Sequence, residues 1–210
     1  VLKYILGTTA YEKFNFFADG YVMNGKSSFI LIVLSIVILL LPLSLFTVTK
    51  DEYYRKAALF KVFSQYIQWP ENSDMKDLSK PFVIGVIGKN PFGPILEKAY
   101  SQEEYKIKNK KVEIRFISKM EEIEGCHILF ISKFFKEELE EILDLTRKKP
   151  ILTIAETKGY AERGVLFNLY ISKNEIRFEI NTAALRESQL IVDSQLLSVA
   201  RIINLPGNKE

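Results

Sequence analysis

CHILFISKFFKEELEEILDLTRKKPILTIAE, Cys126–Glu156, places two short apolar runs at either end of a long charged segment. The outer runs, CHILFIS and PILTIAE, are apolar without alternation, as expected of strands buried on both faces. Within the charged segment Phe135, Leu139, Ile142 and Leu143 recur at helical spacing, and Ser132 is suited to cap the helix they predict. A strand, a helix and a second strand in this order make a crossover between parallel strands.

The same alternation extends upstream. PFVIGVIG (81–88) reads as a buried strand, PILEKAYSQ (94–102) as a short helix with Pro94 in its first turn, and KVEIRFIS (111–118) as another strand. Before them Tyr53, Ala57, Phe60, Phe63 and Ile67 form the apolar stripe of a helix that stops at Trp69-Pro70. Downstream the pattern changes. GVLFNLYI and EIRFEIN are separated only by Ser172, Lys173 and Asn174, too short for anything but an antiparallel hairpin. Two helical runs follow, TAALRESQ with Asn181 as N-cap and SQLLSVARII capped by Asp193 or Ser194, with Leu196, Leu197, Val199, Ala200 and Ile203 as the apolar stripe of the second. The predicted fold is α/β, a single three-layer sandwich over residues 51–206, with a mainly parallel sheet and an antiparallel hairpin at one edge.

An N-terminal signal or membrane-anchor helix is expected to precede it. Ser27 to Thr49 carries no charge, Lys26 precedes it, and Lys50, Asp51 and Glu52 follow. We read 23–50 as a signal peptide or signal anchor, with MNGKSSF as a basic leader from Met23 and 1–22 as an upstream extension. Thr47-Val48-Thr49 is a poor cleavage site, so both fates of the segment stay open. Either way residues 51–210 are expected in the periplasm, secreted or anchored to the inner membrane.

Charge and residue counts narrow the function. The full chain has a formal net charge of +3, and residues 50–210 hold 26 basic against 24 acidic residues without a visible basic cluster, which argues against nucleic acid. Cys126 is the single cysteine, so the chain has no internal disulfide. His127 is the single histidine; adjacent strand residues point to opposite faces, which separates it from Cys126 and disfavours a thiolate–imidazole pair. No Cys or His cluster suggests a metal, and no cofactor motif is present. Gly88-Lys89-Asn90-Pro91-Phe92-Gly93 joins a strand to a helix, but Pro94 and Ile95 stand where a phosphate loop needs Lys and Ser or Thr. It reads as a tight turn first, and as a small-anion loop through Gly88, Lys89, Asn90 and Gly93 second.

Three residues stand out as contacts for a partner. Arg177 and Glu179 lie two apart in RFEIN and share a strand face with Asn181, while Phe178 and Ile180 point to the core. Phe134 falls outside the apolar stripe of its helix and is expected to be exposed. A catalytic role for Glu179 lacks a second carboxylate placed by sequence.

Taken in order, KAALF, YIQWP, FVIGVIGKNPFG, CHILFIS, PILTIAE, GYAERGVLF and RFEIN resemble the YfiR-like family, over Tyr54 to about Ile203. The resemblance implies an exported, non-enzymatic regulator that restrains a membrane diguanylate cyclase and so lowers cyclic di-GMP and biofilm formation. It implies an inner-membrane signalling protein, a cyclase or a sensor kinase, as partner, with a homodimer left open and no cofactor. Family members with redox behaviour carry paired cysteines, and this chain departs from that pattern. The competing readings are an exported small-ligand-binding module, with its pocket near Gly88–Gly93 at the carboxyl ends of the strands, and an exported hydrolase using Glu179.

Overall fold

A computed structural model describes residues 51–101, 105–133 and 138–203, all within one unit, Thr49–Glu210. The segments read as an upstream extension and as a signal or anchor lie outside the described residues, as does Phe134. Among the described residues no helix is long and apolar enough to cross a membrane.

Helix α1 covers 51–65 and buries Tyr53, Ala57, Phe60 and Phe63, the stripe its spacing predicts. It ends one residue before β1, Ile67–Gln68, so Ile67 reaches the core from a strand rather than from the helix. The elements then run β2 (Phe82–Ile87), α2 (Ile95–Tyr100), β3 (Lys106–Ile107), β4 (Lys110–Ile117), β5 (Ile128–Ile131), α3 (Leu139–Thr146), β6 (Leu152–Ala155) and α4 (Tyr160–Arg163). They close with β7 (Phe167–Ser172), β8 (Glu175–Asn181), α5 (Thr182–Glu187), β9 (Ile191–Val192), α6 (Ser194–Val199) and β10 (Arg201–Ile203).

Eight strands form one sheet in the order β10-β8-β7-β6-β5-β2-β4-β3. All neighbours are parallel except the β7–β8 and β3–β4 pairs. β1 and β9 form a separate antiparallel pair. Because side chains alternate, each central strand feeds both faces. Phe82, Ile84 and Val86 of β2, with Phe130 of β5 and Phe167 of β7, meet α1 and α2; Val83 and Ile87, with Leu129 and Ile131, meet α3 and α4. Helices on both faces of a mostly parallel sheet make the predicted sandwich.

The α1 face is an aromatic core. Phe63 sits edge-on to Phe167 and Phe178 at 5.1 and 5.0 Å, and Phe92 to Phe130 at 4.9 Å. The opposite face is tighter, and Gly85 shows why: a Cβ there would stand 2.7 Å from Ile117 Cδ1 and 2.8 Å from Cys126 Sγ. Cys126 is buried in that contact, and burial pushes its thiol up to about 11.

The chain end differs from the periodicity reading. Ala200 turns extended (ψ 153°), helix α6 stops at Val199, and Arg201–Ile203 becomes β10, parallel to β8. Hence β10 and not the β7–β8 hairpin forms that edge, and Val199 is exposed whereas Leu196 and Ile203 are buried. Pairing with a distant strand overrides a local helical pattern. The hairpin itself turns on Lys173 and Asn174, both left-handed, the conformation of a two-residue type I′ turn.

Candidate functional site

Strand β8 carries Arg177, Glu179 and Asn181 on one face and Phe178 and Ile180 on the other, as alternation requires. The three polar residues have different surroundings. Asn181 is buried; its Oδ1 accepts from the Ala184 N–H at 2.8 Å, capping α5, and its Nδ2 donates to the Ala161 carbonyl of α4 at 2.7 Å. Glu179 is only 6% exposed. Asn168 of β7 and Arg201 of β10 stand directly opposite it, Asn168 Nδ2 donating to Glu179 Oε2 at 3.0 Å and Arg201 Nη1 lying 3.2 Å from Oε1. Arg177 is exposed and pairs with Glu175.

The expected row of two surface contacts is therefore a buried carboxylate flanked by two reachable guanidiniums, Arg177 and Arg201. β10 accounts for the change, since it brings Arg201 over a carboxylate that would otherwise lie at the sheet edge. Arg201 was not singled out from the sequence because its strand was read as helix.

The loop between β2 and α2 is closed on itself. Asn90 Oδ1 accepts from the Phe92 N–H at 2.9 Å and its Nδ2 donates to the Gly93 carbonyl at 3.0 Å. Gly88 and Gly93 take left-handed conformations, φ 85° and 54°, which suit glycine. The Lys89 carbonyl accepts from Ser132 Oγ at 2.8 Å, and Phe92 plugs the core beneath. This arrangement builds a turn across the carboxyl ends of β2 and β5.

Beside it lies a charged cluster that sequence reasoning missed. Lys56, 3% exposed, is ion-paired to Glu52 and Glu156, and Tyr53 Oη donates to Glu156 Oε1 at 2.9 Å. Burial and the Glu156 carboxylate hold the Tyr53 phenol above its ordinary range. The available signal was a lysine at a helical neighbour position of the apolar stripe, with a glutamate closing the apolar run PILTIAE.

At the opposite strand ends, His127 is fully engaged. Its Nδ1 accepts from the Val83 N–H at 3.0 Å, so Nε2 carries the proton that it donates to Asp74 Oδ1 at 2.7 Å. The ring stacks on Phe82 at 4.7 Å. Lys110, fully buried, donates to the Asp74 and Asp77 carbonyls at 2.7 and 2.6 Å, fastening the same turn. Burial lowers the His127 pKa more than Asp74 raises it. A histidine with a depressed folded pKa favours unfolding once the unfolded chain binds its proton. Stability should thus be full above about pH 6.5 and fall as the pH drops below it. Thermal melts between pH 7.5 and 5 should show this slope, and His127→Gln should flatten it; an unchanged slope would assign it to other groups.

Chemically these clusters position elements. Cys126 lies on the opposite face from His127, its Sγ 3.8 Å from the Glu122 carbonyl. Among the described residues no group of three His, Cys, Asp or Glu side chains is placed to hold a metal.

The order of motifs across this sheet, from α1 to β10, is matched by a family profile described as YfiR/HmsC-like over residues 53–201. The chain belongs to the YfiR/HmsC-like family. That is a family of regulatory proteins and is not known as an enzyme family. Comparison with curated proteins finds no match. The YfiR/HmsC-like match runs from α1 to the first residue of β10, and the buried Lys56–Glu156 pair and the half-exposed Glu179–Arg201 pair both fall within it.

Proposed function

We propose that this YfiR/HmsC-like domain is a periplasmic, non-enzymatic regulator that binds and restrains an inner-membrane signalling protein, a diguanylate cyclase before a sensor kinase. The family match over residues 53–201 carries this reading, since it covers nearly the whole described fold. The uncharged stretch Ser27–Thr49 supports export.

The contact surface we assign is the exposed end of the β8 face, with Arg177 at its centre and Arg201 beside it; Phe134 is retained as a further contact. Arg177 is the cleaner probe, because its pairing with exposed Glu175 is a surface interaction that folding scarcely needs. Like charges facing across an interface cost several kcal/mol, whereas surface substitutions usually change stability by less than about 0.5 kcal/mol. In cells carrying a membrane diguanylate cyclase as partner, Arg177→Glu should raise cyclic di-GMP to the level of a deletion, with normal protein abundance and an unchanged melting temperature. Full restraint by a well-folded Arg177→Glu protein would remove this face from the interface.

A further inference from the structure

A cleft of about 160 Å³ opens between α3, α4 and α5, at the amino end of β6, and includes neither Arg177 nor the loop of Gly88 in its lining. Its interior is aliphatic: Leu143, Ile151, Leu166, Ala183 and Ala184 line it. The hydroxyls that reach it are already engaged. Thr146 Oγ1 donates to the Ile142 carbonyl at 2.8 Å, Thr153 Oγ1 accepts from the Leu166 N–H at 3.0 Å, and Ser188 Oγ donates to the Leu185 carbonyl at 2.8 Å. Each of these hydroxyls thus already has a partner, and an apolar body fits. The space resembles cavities of about 150 Å³ that accept a benzene-sized guest.

The mouth is different. Arg147 and Arg163 line the cleft with side chains 50% and 43% exposed. Their present partners, Asp144 at 3.4 Å and Glu140 at 2.9 Å, are surface carboxylates on α3, and exposed pairs of this kind are worth only about 0–1 kcal/mol. Exchanging one for a ligand carboxylate costs little. Glu187 also lines the cleft and opposes a second negative charge, which disfavours phosphates and dicarboxylates.

We infer that this cleft binds a small monocarboxylate whose apolar part is one ring or a chain of about six carbons, with the carboxylate at Arg147 and Arg163. Its position gives the ligand leverage, because α5 continues directly from β8 through the cap Asn181. The inference does not rest on the identity of the signalling partner, since it concerns binding by the chain alone.

Calorimetric titration of the purified full-length chain with hexanoate and with hexan-1-ol tests it. Hexanoate should bind saturably at one site, and hexanol at least tenfold more weakly. Arg147→Gln with Arg163→Gln should erase that preference, and Ala183→Leu, which fills the cleft, should abolish binding of both. If Ala183→Leu fails to fold, methyl resonances of the wild-type chain decide: Leu143 and Ile151 should shift with hexanoate while Val86, on the other face of the sheet, stays. Non-saturable uptake, equal affinity for the alcohol, undiminished binding by folded Ala183→Leu, or methyl shifts elsewhere would each overturn the assignment.

Discussion

Lys56→Met should destabilise the domain by about 3–5 kcal/mol, the cost of leaving a buried ion pair with one partner. Lys56 and Glu156 have side chains only 4% and 3% exposed, so water cannot replace the lost ammonium. Tyr53 would then be the single donor left to Glu156 among the contacts described, and the phenol cannot neutralise a carboxylate. The cluster joins α1 to the carboxyl end of β6, so the loss should loosen the helix from the sheet. Lys56→Met with Glu156→Leu should recover most of the stability, because buried ion pairs replaced on both sides by apolar groups are often neutral or better. Urea unfolding midpoints at constant slope would measure both variants. A cost below about 1 kcal/mol for Lys56→Met would mean that the cluster behaves as a surface pair.

Periodicity revealed the layers of this fold more fully than its polar interior. The unalternating runs FVIGVI and ILFI are buried on both faces, and the stripe Tyr53, Ala57, Phe60, Phe63 covers the core, because burial of both kinds leaves a local period. β10 left none. Its three residues continue a helical pattern and become a strand only because Glu179–Asn181 stands alongside, a non-local pairing. The buried ions were hidden for the same reason. Lys56 meets Glu156 and Lys110 meets the Asp74 and Asp77 carbonyls across long sequence separations, and nothing at either position announces the partner. His127 was legible in part: a single histidine at a strand start is usually a satisfied one, and its two bonds fit that expectation. The RFEIN row was read with the right face and the wrong exposure, since alternation fixes direction while the cover depends on β10.

That difference separates two variants which sequence alone would treat alike. Glu179→Lys should cost about 3–5 kcal/mol, because it places an ammonium in a nearly buried position between Asn168 and Arg201. Arg201 would face a like charge instead of its counterion. Asn168, whose Oδ1 is buried without a hydrogen bond, offers an acceptor for the new lysine, and that contact should keep the cost from rising further. Glu179→Gln is the milder comparison. It retains a hydrogen-bonding oxygen for Asn168 and removes only the charge, so its cost should stay at about 1.5–2 kcal/mol, the low end of the range for a charge-assisted hydrogen bond. Chemical denaturation of Glu179→Lys, Glu179→Gln and Arg177→Glu in parallel should order them in decreasing cost, with Arg177→Glu near zero. Loss of restraint by Glu179→Lys would then follow from a shortage of folded protein, and loss by Arg177→Glu from the contact itself. If Glu179→Lys instead melted with the wild type, Glu179 would have to reach solvent, and the carboxylate would return to the contact surface alongside Arg177.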